Sequence, residues 1–544
     1  MHVPVLIVGG GPVGLTLGID LAWRGIRCLL LEERAGSLPH PKATLLGARS
    51  MELFRRWGLD DAIYDAGIRQ NDGYHIIFAD RMAGHLLHRF SSPGSEAIRA
   101  RDPATIARFR ELGWSPYGKT QIGQQALEPV LLRHARTLPD LDLRHGTRLV
   151  SFTQTAERVE AVVEDVATGQ AQTITADHMV ACDGGGSGIR KALGIGFSGR
   201  GRLRSNVSFF FRAENFLAEH GKGLANLAFT FTPDAFGVFT AIDGKTLWNY
   251  QHYWADPTRD DAAVDATAIL HRAMGKPFAF ELLRTTHWHH HQSVAQHWRS
   301  GRVFLAGDAA HLFVPTGGVG MNTGIGDAAD LAWKLAAVHQ GWGGPRLLDA
   351  YESERKPIAW RNSVASANNS DRIDAVMAET PASIADDTED GAAARAALKP
   401  RLTWMARQFN SAGLHLGYRY ADSPIIVADG TPEPPDDVNQ VVPSTWPGSR
   451  APHLWLHRGT STLDLFGQGF TLLRCGPSAP LAPRLLAALR ARGMPVETVR
   501  LDDPAAVATY ATPLVLVRPD GHVGWRGAFD PDCADTIADH LRGA

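Results

Sequence analysis

Gly9, Gly11 and Gly14 follow an apolar run near the start of the chain and open a helical pattern, and Glu32 closes the next apolar run. Each glycine has a separate use. The first permits a tight turn, the second lets a pyrophosphate reach the backbone, and the third lets helix and strand pack closely. A helix start of this kind offers unbonded N–H groups and about half a positive charge to phosphates. Pro12 and Val13 complete the turn, and Glu32, followed by Glu33, is placed to accept hydrogen bonds from a ribose. The chemistry is dinucleotide binding, and this cluster by itself leaves NAD and FAD open.

"FLAGDAAHLFVPTGGVGMNTGIGDAADLAWKL" (304–335) sets an apolar strand, an acid, a glycine-rich loop and a helix in succession. Asp308 ends the strand, and Gly317, Gly318, Gly320 and Gly324 leave the loop and the helix start beyond it bare of side chains. FAD extends past its pyrophosphate as a ribityl chain and an isoalloxazine ring system. Ribityl hydroxyls need an acceptor, which Asp308 supplies, and a bare backbone can run along the ring. A helix starting near Asn322 points its positive end at the edge where reduced flavin carries negative charge. With both clusters in one chain, FAD is the expected cofactor.

The elements that must position these residues can be read around them. Strand 5–8, helix 12–24 and strand 27–31 make a βαβ unit. "QQALEPVLLRHARTL" (124–138) reads as a helix, strands come after it near 141–180, and one of them ends at Asp183. Between residues 197 and 288 aromatic-rich runs alternate with turn signals, the pattern of an antiparallel sheet. A helical stretch covers 324–376, an acidic alanine-rich segment 381–400 and a proline-rich linker 429–452. A smaller α/β unit begins near residue 453.

The chain has 544 residues, enough for about two to four domains. Its 44% hydrophobic and 21% charged residues are an ordinary globular balance, and its formal charge of -2 argues against nucleic acid or an anionic membrane as the main partner. Cys28, Cys182, Cys475 and Cys533 are scattered without a CxxC pair, as in reduced cytoplasmic proteins. The first core strand begins at Val3 and the apolar runs are short, so neither a cleavable signal nor a membrane span is expected, and the reading is cytoplasmic. His287, His289 and His291 share one face of a strand, a possible ligand set, but no carboxylate or cysteine adjoins them and no metal is expected.

"GGGPVG" with its following acid, "ACDGGGSGIRKALG" (181–194) and "GRVFLAGDAAHLFVPTGGVGMNTGIGDAADLAWKL" (301–335) together resemble the class A flavoprotein monooxygenases, the fold of p-hydroxybenzoate hydroxylase. "HPKATLLGARSMELFRRWGL" (40–59) is similar to the family's stretch after the ribose acid, with Lys42 where an arginine is usual. The resemblance implies that Gly9, Gly11, Gly14 and Glu32 hold the ADP half, and that Gln124, Asp183, Gly184 and Asp308 reach other parts of FAD. It implies that Pro315, Gly320, Met321 and Asn322 surround the flavin ring and the site of oxygen chemistry, with Arg49 a further cofactor contact.

The implied fold class is α/β: a Rossmann-like FAD-binding domain (1–72, 105–187 and 286–375) with an inserted antiparallel-sheet substrate domain (73–104 and 188–285), a helical or linker region (376–445) and a thioredoxin-like domain (446–544). "CGPS" (475–478) lies where thioredoxin has its active pair, but Ser478 replaces the second cysteine, so no dithiol chemistry is expected. "TPLVLV" (512–517) resembles the cis-proline strand of that fold. The implied activity is hydroxylation of a phenolic or polycyclic aromatic substrate through a flavin hydroperoxide, using NAD(P)H as a transient co-substrate and O2. Baeyer–Villiger insertion or epoxidation on the same fold, or a non-oxygenating flavin oxidoreductase, is the alternative. Phe209, Phe211, Phe239, Tyr250 and His252, on the aromatic strands, are the candidate substrate contacts, and a monomer or homodimer is expected.

Overall fold

The computed structural model describes residues 1–36, 42–69, 73–100, 103–108, 110–254, 264–457 and 459–544. His40 and Pro41 of the matched stretch, and the domain boundary read at residue 72, lie outside the described residues.

Strand His2–Val8 is apolar along most of its length because parallel neighbours flank it on both sides, Ala171–Ala181 and Cys28–Glu32. The strand order is 299–300, 303–305, 171–181, 2–8, 28–32, 141–145, and an antiparallel pair, Thr147–Gln154 and Val159–Asp165, extends from strand 171–181. Val8 lies in register with Ala181, and Ala181 with Leu305. The segments beyond these strand ends, bearing Gly9, Asp183 and Asp308, therefore leave one end of the sheet side by side. The carboxyl ends of parallel strands are where such sheets bind ligands.

A second sheet of eight strands runs 311–312, 281–295, 197–212, 247–253, 237–241, 227–230, 74–79, 86–92. Strand Glu281–Ala295 crosses the boundary read at 285/286, so the sheet continues to residue 295. One face packs Phe209, Phe211, Phe239, Trp248 and Tyr250 against helix Ala266–Met274. The alternate residues turn the other way, partly under helix Glu389–Ala406, whose Leu398, Leu402 and Met405 join a core with Phe229 and Val238. The region read as a linker thus partly covers the sheet.

Residues 470–527 form a four-stranded sheet in the order 496–501, 470–475, 514–517, 523–527, the first pair parallel and the others antiparallel. Its backbone has no cis peptide among the described residues, so the strand read as "TPLVLV" lacks the cis proline that its resemblance suggests. This unit is tied to the helices packed on the first sheet by buried ions. Arg450 donates to Glu52 at 2.9 and 2.5 Å, and Arg518 donates to Glu354 at 2.6 and 2.9 Å. No described helix is long and apolar enough to cross a membrane.

Burial also sets a pH response. It holds His178, His290, His415 and His453 down at about 3, and His220 and His522 at about 4. An unfolded histidine titrates near 6.5, so the unfolded chain takes up these protons first. The stability they reflect is complete above that value and is lost as pH falls toward the folded values. The expected result is a Tm that declines steadily between about pH 6.5 and pH 4. A flat Tm across that window would contradict the neutral burial of these rings.

Candidate active site

Two glycines in the first turn have no room for a side chain. Gly9 has φ +111°, and a Cβ there would lie 2.2 Å from the Cys182 carbonyl oxygen, while one on Gly14 would lie 2.0 Å from Gly9 O. Over Gly11 a Cβ would meet nothing within 4 Å. That open side is where a phosphate can approach, and helix Pro12–Trp23 starts beside it with no side-chain cap on its first N–H groups. Glu32 Oε2 accepts the Gly10 N–H at 2.8 Å, and Oε1 accepts Arg34 Nε at 2.7 Å. Burial works against the Glu32 charge, but the Arg34 side chain and the Arg34 and Gly10 N–H groups prevail and lower its pKa.

The second cluster meets the first. A Cβ on Gly307 or Gly324 would lie 2.9 or 2.6 Å from Val13 Cγ2, so the turn ending strand Val303–Leu305 and the helix Gly320–His339 both close on residue 13. Asp327 fixes this turn from beneath. It accepts from Gly307 N at 3.2 Å, from His311 Nε2 at 2.9 Å and from Arg355 Nε at 2.9 Å. Asp308 opens into a cleft, yet enough protein surrounds it that burial raises its pKa against the pull of His311 and Lys42. Helix Gly320–His339 also begins without a side-chain cap.

One cleft of about 1520 Å³ joins these features. Gly9, Gly11, Pro12, Val13, Glu32, Glu33, Lys42, Gln124, Asp183 and Gly184 line it, as do Asp308, Pro315, Gly320 and Met321. FAD fits what they offer: an open approach over Gly11, two uncapped helix starts, and a buried Asp183 Oδ1 with no hydrogen-bond partner.

Residues 2–366 match the FAD binding domain family, and residues 444–544 match the aromatic-ring hydroxylase C-terminal family. The chain belongs to the class A flavoprotein monooxygenases. It is 34% identical to aklavinone 12-hydroxylase RdmE of Streptomyces purpurascens, over 99% of this chain and 98% of that one. The rebeccamycin biosynthetic enzyme RebC with reduced flavin superposes with a TM-score of 0.89 at 37% identity, covering 100% and 99% of the two chains. A ternary complex of aklavinone-11 hydroxylase with FAD and aklavinone gives 0.81 at 31% identity, covering 100% and 99%. These likenesses make the protein an FAD-dependent aromatic hydroxylase.

In this hydroxylase two expected cofactor contacts have other work, while Gly14 packs under the turn as the third glycine of the fingerprint should. Arg49 donates to Glu52 at 3.1 Å and to the Asp520 carbonyl at 2.6 Å, so it anchors the C-terminal domain. The Asn322 side chain donates to Leu45 O and Gly318 O and accepts from Gly47 N and Ser50 Oγ. It ties the glycine loop to the 45–50 segment and has no share in the cleft wall.

The expected substrate contacts are on the wrong face. Phe209, Phe211, Phe239 and Tyr250 are in the sheet's helix-covered core, with His252 next to Tyr250 and Trp254. Turning that face to the cleft would forfeit about 1.5–3 kcal/mol of burial for each large apolar side chain, and so the register is fixed. Ser208, Thr240, Asn249, Gln251, Thr286 and Trp288 line the cleft instead, with Phe229, Val238 and Tyr253. Trp288 Nε1 donates to Ser208 Oγ at 2.9 Å, and Gln251 Nε2 lies 3.2 Å from Nε2 of the buried His290. Lys119 and Gln408 also line the cleft and escape sequence reasoning, because they come from segments without a motif, and Arg34, two residues past Glu32, lines it as well.

Proposed function

We propose that the protein hydroxylates a polycyclic phenol with NAD(P)H and O2, its substrate lying on the sheet face of Asn249, Gln251 and Trp288. The observation that carries this reading is one continuous cleft, with the glycine turns and acids at one end and a mixed aromatic and amide wall at the other. The names of the relatives that act on aklavinone, or bind it, support a polycyclic aromatic substrate.

When bound, FAD supplies acceptance of hydride from NAD(P)H and activation of O2. The protein's share is position and dryness. Glu32 and the helix start at Pro12 would hold the adenylate end, Asp308 would hold the ribityl chain, and the positive helix start at Gly320 would favour negative charge on the reduced ring. Phe229, Val238, Ile242 and Tyr253 keep water from the reacting centre, which suppresses wasteful loss of activated oxygen. Asn249 and Gln251 orient polar groups of the substrate. No second glycine fingerprint follows a strand elsewhere in the sequence, which suits a co-substrate that visits and leaves. The C-terminal unit has a thioredoxin-like strand order, and its role is docking: Cys475 has no second cysteine in its CGPS turn, and burial pushes its thiol up to about 11, far from a reactive thiolate.

The test is NAD(P)H oxidation stimulated by hydroxylated polycyclic quinones, with product mass raised by one oxygen atom. Ring insertion shows as a lactone of the same mass gain, told apart by its product spectrum, and would replace hydroxylation. A paired substitution checks the sheet face. Trp288→Ala is expected to raise the substrate KM about tenfold, the loss of roughly 1–2 kcal/mol of ring contact. Tyr250→Phe, on the opposite face, is expected to leave KM within about twofold. Equal effects of the two would contradict the assigned face.

A further inference from the structure

The aromatic half of the cleft holds a cation that no motif announces. Lys119 lines it, donates to the Phe409 carbonyl, and places its ammonium 5.9 Å from the Tyr74 ring centre and 5.8 Å from that of Phe409. Two titratable side chains beside it, Tyr74 and His415, are neutral at working pH. Burial raises the Tyr74 phenol well above its ordinary value, and burial, aided by Lys119 and Arg361, keeps His415 on helix Ala412–Leu416 at about 3. The neighbouring Gln408 carries no charge, and its buried Nε2 has no hydrogen-bond partner. His289 and His291, on the outer strand Glu281–Ala295, also line the cleft. Ser208, Thr240, Asn249, Gln251, Thr286 and Trp288, also on the walls of this half, are uncharged.

We propose that Lys119 binds the ring hydroxyl of the substrate as its oxyanion, with Gln408 Nε2 as a second donor. This rests on the phenolic substrate class proposed above. In the step itself the substrate O–H bond breaks, the proton passes to water, and the oxygen keeps the electron pair beside the ammonium. Lys119 neither gains nor loses a proton. The consequence is chemical: an oxyanion pushes electron density into the ring, which is what oxygen transfer to that ring requires. Lys119 thus sets which tautomer and which edge of the polycycle is presented.

Alizarin, a hydroxyanthraquinone whose acid and anion differ in colour, tests this on the FAD-loaded protein without NAD(P)H. Its bound form is expected to ionise about 1–2 pH units below the free dye, as a nearby opposite charge dictates. Lys119→Met should abolish that displacement, and Lys119→Arg should retain it, with flavin content unchanged in both. Ionisation in Lys119→Met equal to that in the native protein would overturn the assignment alone. Native protein that binds only the neutral dye would do so without any variant, so loss of fold in a variant leaves the question decidable. Failure to bind any hydroxyanthraquinone would refute the substrate class and this assignment together, whereas anion binding without hydroxylation would refute only the activity.

Discussion

Asp308→Ala protein should purify nearly colourless, with FAD affinity lowered about 10–100-fold, the cost of losing hydrogen bonds to a charged acceptor. The carboxylate opens into the cleft and is not part of the hydrophobic core, so the chain should fold without it. What shapes the turn is Asp327, which holds Gly307 N, His311 and Arg355 and is untouched by the substitution. Asp308→Asn keeps an acceptor oxygen and should hold an intermediate amount of flavin. Absorbance of the purified proteins, compared with that of the native protein, measures the difference. Full flavin occupancy in Asp308→Ala would remove Asp308 from the cofactor site.

Arg518→Met should lower unfolding free energy by about 3–5 kcal/mol, because it strands buried carboxylates. Arg518 is fully buried and donates to Glu354 at 2.6 and 2.9 Å and to Asp520 at 2.6 Å. Lys334 reaches Asp330 and Glu354, each at 2.6 Å, and would be the remaining cation among three acids. The cluster is already short of positive charge: burial, with Glu354 and Asp520 adding to it, pushes the Asp330 carboxyl up to about 8. Asp330, Glu354 and Asp520 bring oxygens within 4.8 Å of one another, but the two cations lie among them and already neutralise most of their charge. Urea unfolding followed by circular dichroism measures the loss. A change below about 1 kcal/mol would mean that the C-terminal domain is not clamped by this residue.

The parts of the site legible in the sequence are those whose chemistry is local. A glycine that must take φ +111° beneath a carbonyl, as Gly9 does, is visible one residue at a time, and so is an acid such as Asp308, although the strand read as ending at it stops at Leu305 and Asp308 sits in the turn beyond. FAD's length is the sequence-level reason for the two clusters to share one ligand, and the contact of Val13 with Gly307 and Gly324 gives it a physical basis. The sheet face is not legible. Phe209 and Ser208 alternate on one strand, as do Tyr250 and Gln251, and aromatic richness marks the face that packs on a helix. Aromatic residues serve a core at least as well as a ligand, and only the cross-strand register decides between them. Arg49 and Asn322 are misassigned from sequence for a related reason: the partners that claim them, Asp520 and the 45–50 segment, are remote in the chain. Lys119 and Gln408 escape notice because each comes from a stretch with no periodicity or fingerprint, and their nearness arises from the fold.

The measurement that bears most directly on the whole account is a crystal structure of the protein with FAD and a hydroxylated polycyclic quinone. Density for pyrophosphate over Gly11, for the ribityl chain at Asp308, and for the quinone against Asn249, Gln251 and Trp288 is the predicted result. A flavin bound away from the Gly9–Gly14 turn, or a quinone on the Phe209 and Tyr250 side of the sheet, would contradict it.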